Sequence, residues 1–151
     1  MKRSELSSEF LEALNKASRK IRTAFNQQVT AHGLTYPRAR ALWRLAEKPI
    51  MAQTELACEL ELEQATMVRL LDRMEENGLI ERRPSPKDRR VKLIALTLHG
   101  EEQATLVRSI ADKMRQEVFA GIGTDELRTL TLLLETISGR VGDLESPHVP
   151  A

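Results

Sequence analysis

The sequence has few of the residues that build disulfides and metal sites. Its 151 residues include one cysteine, Cys58, and three histidines. A single cysteine excludes a disulfide within the chain, and the histidines lack the short spacing of metal ligands. No Ser/His/Asp grouping, catalytic carboxylate pair or phosphate-binding glycine loop is recognisable. We therefore expect no metal, no cofactor and no enzymatic activity.

Long hydrophobic runs are also missing. No stretch of about 18 apolar residues is present, and no basic start precedes an apolar segment, as a secretory signal requires. We therefore expect a cytoplasmic protein that makes no use of a membrane. Apolar residues make up 41% of the chain, which is enough to fill the core of one domain with helical extensions.

Net charge is low, but the charged residues are segregated. The formal net charge at pH 7 is only +1. Residues 1–50 carry ten Lys or Arg against four acids, and residues 79–97 carry six against two. Residues 53–64 have four glutamates and no base, and residues 101–151 have nine acids against five bases. This pattern indicates that one part faces phosphate and another faces solvent or a partner chain.

Apolar spacing predicts helices along most of the chain. The first helix is expected from Ser7 or Ser8 to about Thr30, and the last is expected to be capped by Thr124. The predicted helices cover residues 7–30, 34–45, 53–60, 64–77, 98–120 and 124–144. Between residues 79 and 97 the pattern changes to alternation around a charged, proline-containing tract, which predicts a β-hairpin with a basic tip.

Two short helices followed by a hairpin are the parts of a winged helix-turn-helix. Ala57 is small where the first helix approaches the second, and Met67, Val68, Leu71 and Met74 are expected to bury one face of the second. The predicted fold class is mostly α with a small β-hairpin wing, in which dimerisation helices at both ends flank the winged helix-turn-helix.

Apolar stripes on the terminal helices predict a homodimer. The small winged domain already has a core, so these stripes need another surface, although burial within one chain is the alternative. The predicted dimerisation residues are Phe10, Leu14, Leu127, Leu130, Leu134, Ile137 and Val141. The expected parts are an N-terminal dimerisation helix at 1–33, a DNA-binding domain at 34–97, C-terminal dimerisation helices at 98–144 and a flexible tail at 145–151.

The second short helix and the hairpin tip are the candidate DNA-binding elements. A major groove about 12 Å wide admits such a helix, and Arg69 can donate two hydrogen bonds to guanine. An arginine at the tip can enter a narrow minor groove while Asp88 orients a neighbouring guanidinium. The predicted DNA-binding residues are Gln64, Ala65, Thr66, Arg69, Arg73, Lys87, Asp88, Arg89 and Arg90. Each element alone also fits a solvated surface, and their adjacency favours DNA.

The same segments carry a family resemblance. Residues 80–97 resemble the wing signature of MarR-type regulators, and the Asp-x-Arg at 88–90 followed by a strand and Leu-Thr is its most specific part. Thr-Glu-Leu-Ala at 54–57 and residues 63–79 look like the helix pair of that family, especially of its SlyA-like branch. Strong similarity covers about residues 50–100.

The resemblance implies a triangular homodimer in which the terminal helices interlock and the two winged domains contact a pseudo-palindromic duplex. It also implies a repressor that releases DNA when a small, often aromatic or anionic, ligand binds. Two residues depart from the family pattern, because Glu61 and Glu63 stand where relatives often have a turn glycine and a serine cap. A left-handed residue other than glycine costs about 1 kcal/mol.

Two further features leave alternatives open. Phe25, Tyr36, Arg40 and Trp43 can line a ligand cavity, or equally serve as core and helix-cap residues. Cys58 can be a redox sensor, but neighbouring carboxylates disfavour its thiolate, so a packing or inert role is preferred. The alternative to a DNA-binding regulator is a winged-helix module that binds a protein partner through the same surface.

Overall fold

The computed structural model describes residues 2–145, which form six helices and a three-stranded antiparallel sheet. The elements are α1 (Arg3–Ala31), α2 (Tyr36–Glu47), β1 (Ile50–Ala52), α3 (Gln53–Leu60), α4 (Gln64–Glu76), β2 (Ile80–Pro84), β3 (Lys92–Leu96), α5 (Leu98–Val118) and α6 (Thr124–Leu144). The predicted fold class, a mostly helical chain with a small β wing, is confirmed. No helix within residues 2–145 is both long and apolar enough to cross a membrane.

The first helix begins earlier than predicted. It starts at Arg3 rather than Ser7, because Lys2 is the N-cap and its backbone N–H donates to the Glu5 carboxylate at 3.0 Å. At the other end Gly33, with φ 81°, donates to the Thr30 carbonyl at 2.9 Å. This left-handed glycine ends α1 and turns the chain toward α2.

The second helix is displaced from its predicted bounds by two residues. It runs from Tyr36 to Glu47 rather than over 34–45, because the Thr35 hydroxyl accepts a hydrogen bond from the Arg38 backbone N–H at 3.3 Å. Pro37 lies in the first turn, where its missing N–H leaves no carbonyl without a partner.

The sheet contains the predicted hairpin and one strand that the sequence did not predict. Strands β2 and β3 pair antiparallel, with Arg82 opposite Ile94. Strand β1 pairs with the other edge of β3 and places Met51 opposite Ile94. Strand β3 is therefore central and β2 is an edge strand.

The helix-turn-helix is formed by α3 and α4 at the predicted positions. Glu61, which lies in the turn, is the one non-glycine residue with positive φ (55°) among the described residues. The turn thus keeps the left-handed conformation at the position where the sequence departs from the family pattern. Ala57 is buried, which allows the close approach of the two helices.

The buried face of α4 differs from the prediction at one position. Met67, Leu71 and Met74 are fully buried as expected, but Val68 is 39% exposed. Leu70, which is partly buried, packs against the core instead. The inward set therefore follows the i, i+3, i+4, i+7 spacing of an amphipathic helix, and the inclusion of Val68 was wrong.

A tight joint connects the hairpin to α5. The Thr97 hydroxyl donates to the Gly78 carbonyl and accepts from the Gly100 backbone N–H, and the Thr97 backbone N–H donates to the Leu79 carbonyl at 3.1 Å. A Cβ atom at Gly100 would overlap that Leu79 carbonyl. Only glycine therefore allows the first turn of α5 to lie so close to the chain before β2.

The chain divides into two compact units, of which the first ends at Met114 and the second begins at Arg115. One apolar core in the first unit draws side chains from helices α1 to α5 and from the sheet. The predicted division at residues 33, 97 and 144 stays a prediction, and residues 146–151 of the predicted tail lie outside the described part.

In the second unit, α6 has the predicted bounds but a different cap. Gly123 is the N-cap, and its backbone N–H donates to the Glu126 carboxylate at 3.2 Å. Thr124, predicted as the cap, is the first residue of the helix. None of the residues of α6 is buried in the described chain.

Candidate nucleic-acid interface

The exposed face of α4 carries all five of its predicted DNA-binding residues. Gln64, Ala65, Thr66, Arg69 and Arg73 are exposed, while the opposite face packs into the core. No ion pair joins either arginine to another residue in the part of the chain that the structure describes. Both guanidiniums are therefore available to an external acceptor.

The tip of the hairpin is ordered by local hydrogen bonds. The Ser85 backbone N–H donates to the Val91 carbonyl at 3.0 Å, and the Val91 N–H donates to the Asp88 carbonyl at 3.0 Å. The Ser85 hydroxyl accepts from the Lys87 backbone N–H at 3.3 Å. The chain reverses between β2 and β3 with Lys87 and Arg89 exposed.

Asp88 and Arg90 form a fixed pair at this tip. The Asp88 carboxylate accepts from the Arg90 backbone N–H at 3.0 Å and from its Nε and Nη2 at 3.1 and 3.3 Å. These bonds lower the pKa of Asp88, the side-chain bond more than the backbone one. The Arg90 side chain is nonetheless 91% exposed. It is therefore both oriented and accessible, the arrangement expected from the sequence.

Acidic residues lie next to the basic ones. Glu61 in the turn and Glu63 at the N-cap of α4 are both exposed, and Glu63 forms no capping hydrogen bond through its side chain. A phosphate backbone near this turn would be repelled by both carboxylates, which opposes the attraction of Arg69 and Arg73.

Arg82 differs from the rest of the basic tract. The sequence placed it in the charged run that precedes the tip, yet its side chain is only 16% exposed and contacts α4. The side-chain alternation of β2 indicates this partly buried position, because Arg82 lies two residues after the buried Ile80 and thus on the same face of the strand.

Comparison with known proteins identifies the family. A sequence model of the MarR family matches residues 34–92, which span α2, the helix-turn-helix and the start of β3. The solved structure of the transcriptional regulator PA3341 is 30% identical, and the match covers 89% of this chain and 98% of that one, with a TM-score of 0.81. The chain belongs to the MarR family.

Two more solved structures share the fold of this MarR-family chain. The MarR family transcription regulator SP03579 is 22% identical over 94% of each chain, with a TM-score of 0.83. A cysteine mutant of MarR from E. coli, complexed with operator DNA, is 22% identical over 91% of this chain and 99% of that one, with a TM-score of 0.75. MarR-family members are transcription regulators, so the predicted regulator, rather than an enzyme, is confirmed. The SlyA-like branch stays a prediction.

The four predicted ligand-binding residues of the MarR-family chain lie together between α1 and α2. The Phe25 ring meets Tyr36 and Trp43 edge-on, with centroid distances of 6.0 and 6.3 Å. The Arg40 guanidinium carbon lies 5.7 Å from the Tyr36 ring centroid, and its Nη1 donates to the Leu60 carbonyl at 3.1 Å. Both interpretations, ligand site and core, are compatible with this packing.

A cavity of about 250 Å³ lies elsewhere in the first unit, and none of these four residues lines it. Its lining residues come from the C-terminal end of α2, the loop before β1, the last residue of β3 and the first half of α5: Leu45, Ala46, Pro49, Leu96, Glu101, Ala104, Thr105 and Arg108. No sequence pattern indicates this cavity, because its lining residues are distant from one another in the chain and none of them stands out individually.

The predicted dimerisation residues are all accessible. Phe10, Leu130, Leu134 and Val141 are exposed. Leu14, Leu127 and Ile137 are half-buried. These side chains therefore remain available to a partner, and their role stays a prediction.

Cys58 does not pack into the core. Its side chain is exposed on α3, so of the packing or inert role preferred from the sequence only the inert role stays a prediction. The residue follows the buried Ala57 by one position, and this step of about 100° around the helix turns it toward solvent.

Proposed function

We propose that the protein is a homodimeric, sequence-specific regulator that binds a pseudo-palindromic duplex and represses transcription until a small ligand releases it. One observation carries the proposal. The exposed face of α4 carries Arg69 and Arg73, which form no ion pair within residues 2–145, and the hairpin that follows in the chain carries Arg90, which Asp88 orients. The operator complex of the E. coli MarR mutant, which has the same fold, supports duplex DNA as the partner.

In this proposal α4 enters the major groove. Its N-terminal residues are short, which lets the helix approach the base edges, and Arg69 is long enough to donate to both O6 and N7 of guanine. Arg73 lies one turn later on the same face and binds a phosphate or a second base. The buried Met67 and Leu71 hold the helix from behind.

The wing enters the adjacent minor groove. A narrow A·T-rich groove has an enhanced negative potential, which attracts a guanidinium. Arg90 is the inserted residue, because Asp88 fixes its direction while 91% of its side chain stays exposed. Lys87 and Arg89 lie beside it and bind the flanking phosphates.

Two copies of the chain present two such surfaces. The exposed stripe of α6 and Phe10 of α1 are apolar surface that a second copy can cover, and a symmetric dimer places its half-sites on one face of the duplex. The dimer thereby doubles the number of contacts and requires a pseudo-palindrome.

The ligand part of the proposal rests on the aromatic cluster and on Arg40, whose charge suits an aromatic anion. The probe is benzoate, added to the DNA complex, with benzyl alcohol as the uncharged control. Release by benzoate alone, weakened in Arg40→Gln, supports the proposal. If neither probe releases DNA at millimolar concentration, the cluster is core and this part of the proposal fails.

The experiment for DNA binding is an unbiased selection from random duplexes with the purified protein. A pseudo-palindrome with half-sites about 10 base pairs apart is expected, and its affinity should fall by about 10³ or more between 50 and 200 mM salt. Arg69→Ala should cost about 1 to 3 kcal/mol and relax one base preference. Arg90→Ala should lose preference only at flanking A·T positions.

The matched control is Arg44→Ala, which removes a guanidinium that α2 already pairs with Glu47 at 3.2 Å. This variant should bind DNA as the wild type does. If no palindrome is enriched and binding varies little with salt, the protein-interaction module replaces the regulator.

A further inference from the structure

We propose that Arg82 is a positioning residue that does not itself contact DNA. Its contacts, called the clamp below, hold α4, the helix proposed to enter the major groove, against strand β2 of the wing. The proposal rests on the proposed function, since it concerns how the same interface is held. It separates Arg82 from the exposed arginines of the basic tract.

Four hydrogen bonds or ion pairs join Arg82 to α4. Its Nη1 lies 2.8 Å from Asp72 Oδ1 and 3.2 Å from Glu75 Oε1, and its Nη2 donates to the Val68 carbonyl at 3.3 Å. The Arg82 backbone N–H donates to Glu75 Oε2 at 3.2 Å. Both terminal nitrogens of the guanidinium thus have acceptors on α4, which leaves few donors for a phosphate.

The backbone bond has a second effect. Strand β2 is an edge strand, and the backbone N–H of Arg82 on this strand donates its hydrogen bond to the Glu75 carboxylate. One carboxylate of α4 therefore holds both the main chain and the side chain of the wing strand. A lysine would keep the charge but lose the planar fork that reaches three acceptors at once.

The clamped residues form one face of α4. Val68, Asp72 and Glu75 are spaced i, i+4, i+7 and lie above one another. Arg69 and Arg73 each follow a clamped residue by one position, so the face that carries these two arginines lies about 100° around the helix from the clamped face. A rotation of α4 about its axis would therefore move Arg69 and Arg73 and break the contacts of Arg82 at the same time.

Arg82 and its neighbour Arg83 differ in burial and in their partners. The Arg82 side chain is 16% exposed, whereas that of its neighbour Arg83 is 54% exposed and, among the described residues, pairs only with Glu81 on the same strand. The two arginines carry equal charge one residue apart, and in the part of the chain that the structure describes only Arg82 has an ion pair or hydrogen bond to α4. They therefore form a natural test pair.

The experiment compares Arg82→Gln and Arg82→Lys with the control Arg83→Gln. The probes are the palindrome selected by the wild-type protein and a scrambled duplex of equal length, measured from 50 to 200 mM salt. Circular dichroism checks the fold of each variant, and amide hydrogen exchange is measured on the free proteins.

A positioning role predicts that both Arg82 variants lose roughly tenfold in affinity for the palindrome. Their affinity for the scrambled duplex should change by less than about twofold and the salt slope should be unchanged, because no phosphate contact is lost. Exchange should accelerate in α4 and β2 but not in β1. Arg83→Gln should leave the ratio of specific to scrambled affinity as in the wild type.

Equal losses on both duplexes with a salt slope lower by about one would make Arg82 a phosphate contact and overturn the proposal. Wild-type affinity in both Arg82 variants, or exchange that accelerates throughout the chain, would overturn it as well. If the wild type selects no palindrome, the proposed function fails by itself. The hydrogen-exchange data then test the positioning role of Arg82 separately, because faster exchange confined to α4 and β2 supports it and unchanged exchange refutes it.

Discussion

The winged helix-turn-helix and α6 bury their apolar side chains to very different extents. The first region fills a core with fully buried side chains such as Leu42, Leu56, Met67 and Ile94. Within residues 2–145 helix α6 buries none of its residues, and six of its large apolar side chains are exposed: Leu130, Leu132, Leu133, Leu134, Val141 and Leu144. The first region therefore packs into one core with α1 and α5 of the same chain, whereas a single amphipathic helix is only marginally stable without a partner surface.

The difference predicts two kinds of stability. Mutations in the core should lower the free energy of unfolding by the same amount at every protein concentration. Mutations on the stripe of α6 should act through association, so their effect should depend on concentration.

The largest effect is expected from Leu71→Ala in α4. Leu71 is completely buried, so truncation removes its burial and leaves a cavity, at a cost of about 2 to 5 kcal/mol in the free energy of unfolding. Urea unfolding followed by circular dichroism measures this. The control is Val68→Ala on the exposed side of the same helix, which should cost less than about 1 kcal/mol. Equal losses in both variants would mean that α4 is not packed as described.

Next in size is Leu134→Glu on the stripe of α6. A buried carboxylate at a dimer contact should weaken association by about 2 kcal/mol or more, close to thirtyfold. Sedimentation over a range of concentrations measures the dissociation constant. Leu132→Glu, on the side of α6 opposite the predicted stripe, is the matched control and should associate as the wild type does. A wild-type protein that stays monomeric at all concentrations would refute the comparison.

A smaller effect on stability is expected when the same substitution, Gly→Ala, is made once in α5 and once in α6. Gly100→Ala places a Cβ on the Leu79 carbonyl and should cost about 1 to 3 kcal/mol, because backbone must move. Gly139→Ala in α6 meets no neighbouring atom within the described chain and should stabilise the helix by about 0.5 to 1 kcal/mol. Thermal unfolding of the two variants checks both signs. Stabilisation by Gly100→Ala would show that α5 does not approach the chain so closely.

The sequence predicted elements well where periodicity is long or turn chemistry is specific. Helices α3 and α4 and the hairpin were found from apolar spacing and from the prolines and charges of the tip. Strand β1 was missed, since three residues contain no measurable alternation and its pairing with β3 is non-local. The helix ends of α1 and α2 depend on caps at Lys2 and Thr35, which single residues decide.

The candidate site was predictable in its exposed residues and not in its supporting ones. Arg69 and Asp88 belong to local motifs, so their placement follows from the sequence around them. Val68 and Leu70 are both apolar, and the i, i+3, i+4, i+7 spacing from Met67 selects Leu70 for the core. Arg82 was read as part of a charge run, because its three acceptors lie on another element.

The smallest effect tests whether strain lowers the stability of the first region. Glu61 has φ 55°, a conformation that costs about 1 kcal/mol for a residue with a Cβ. Glu61→Gly should relieve it and stabilise the fold by about 0.5 kcal/mol, since the flexibility of glycine in the unfolded chain offsets about half of the gain. Glu61→Gln, which keeps the strain and removes the charge, is the control. Both variants should bind DNA more tightly by similar factors because each removes a repelling carboxylate, but only the glycine should raise the midpoint of urea unfolding, and neither should alter the dissociation constant of the dimer. A glycine variant no more stable than the glutamine one would show that the turn is held without strain.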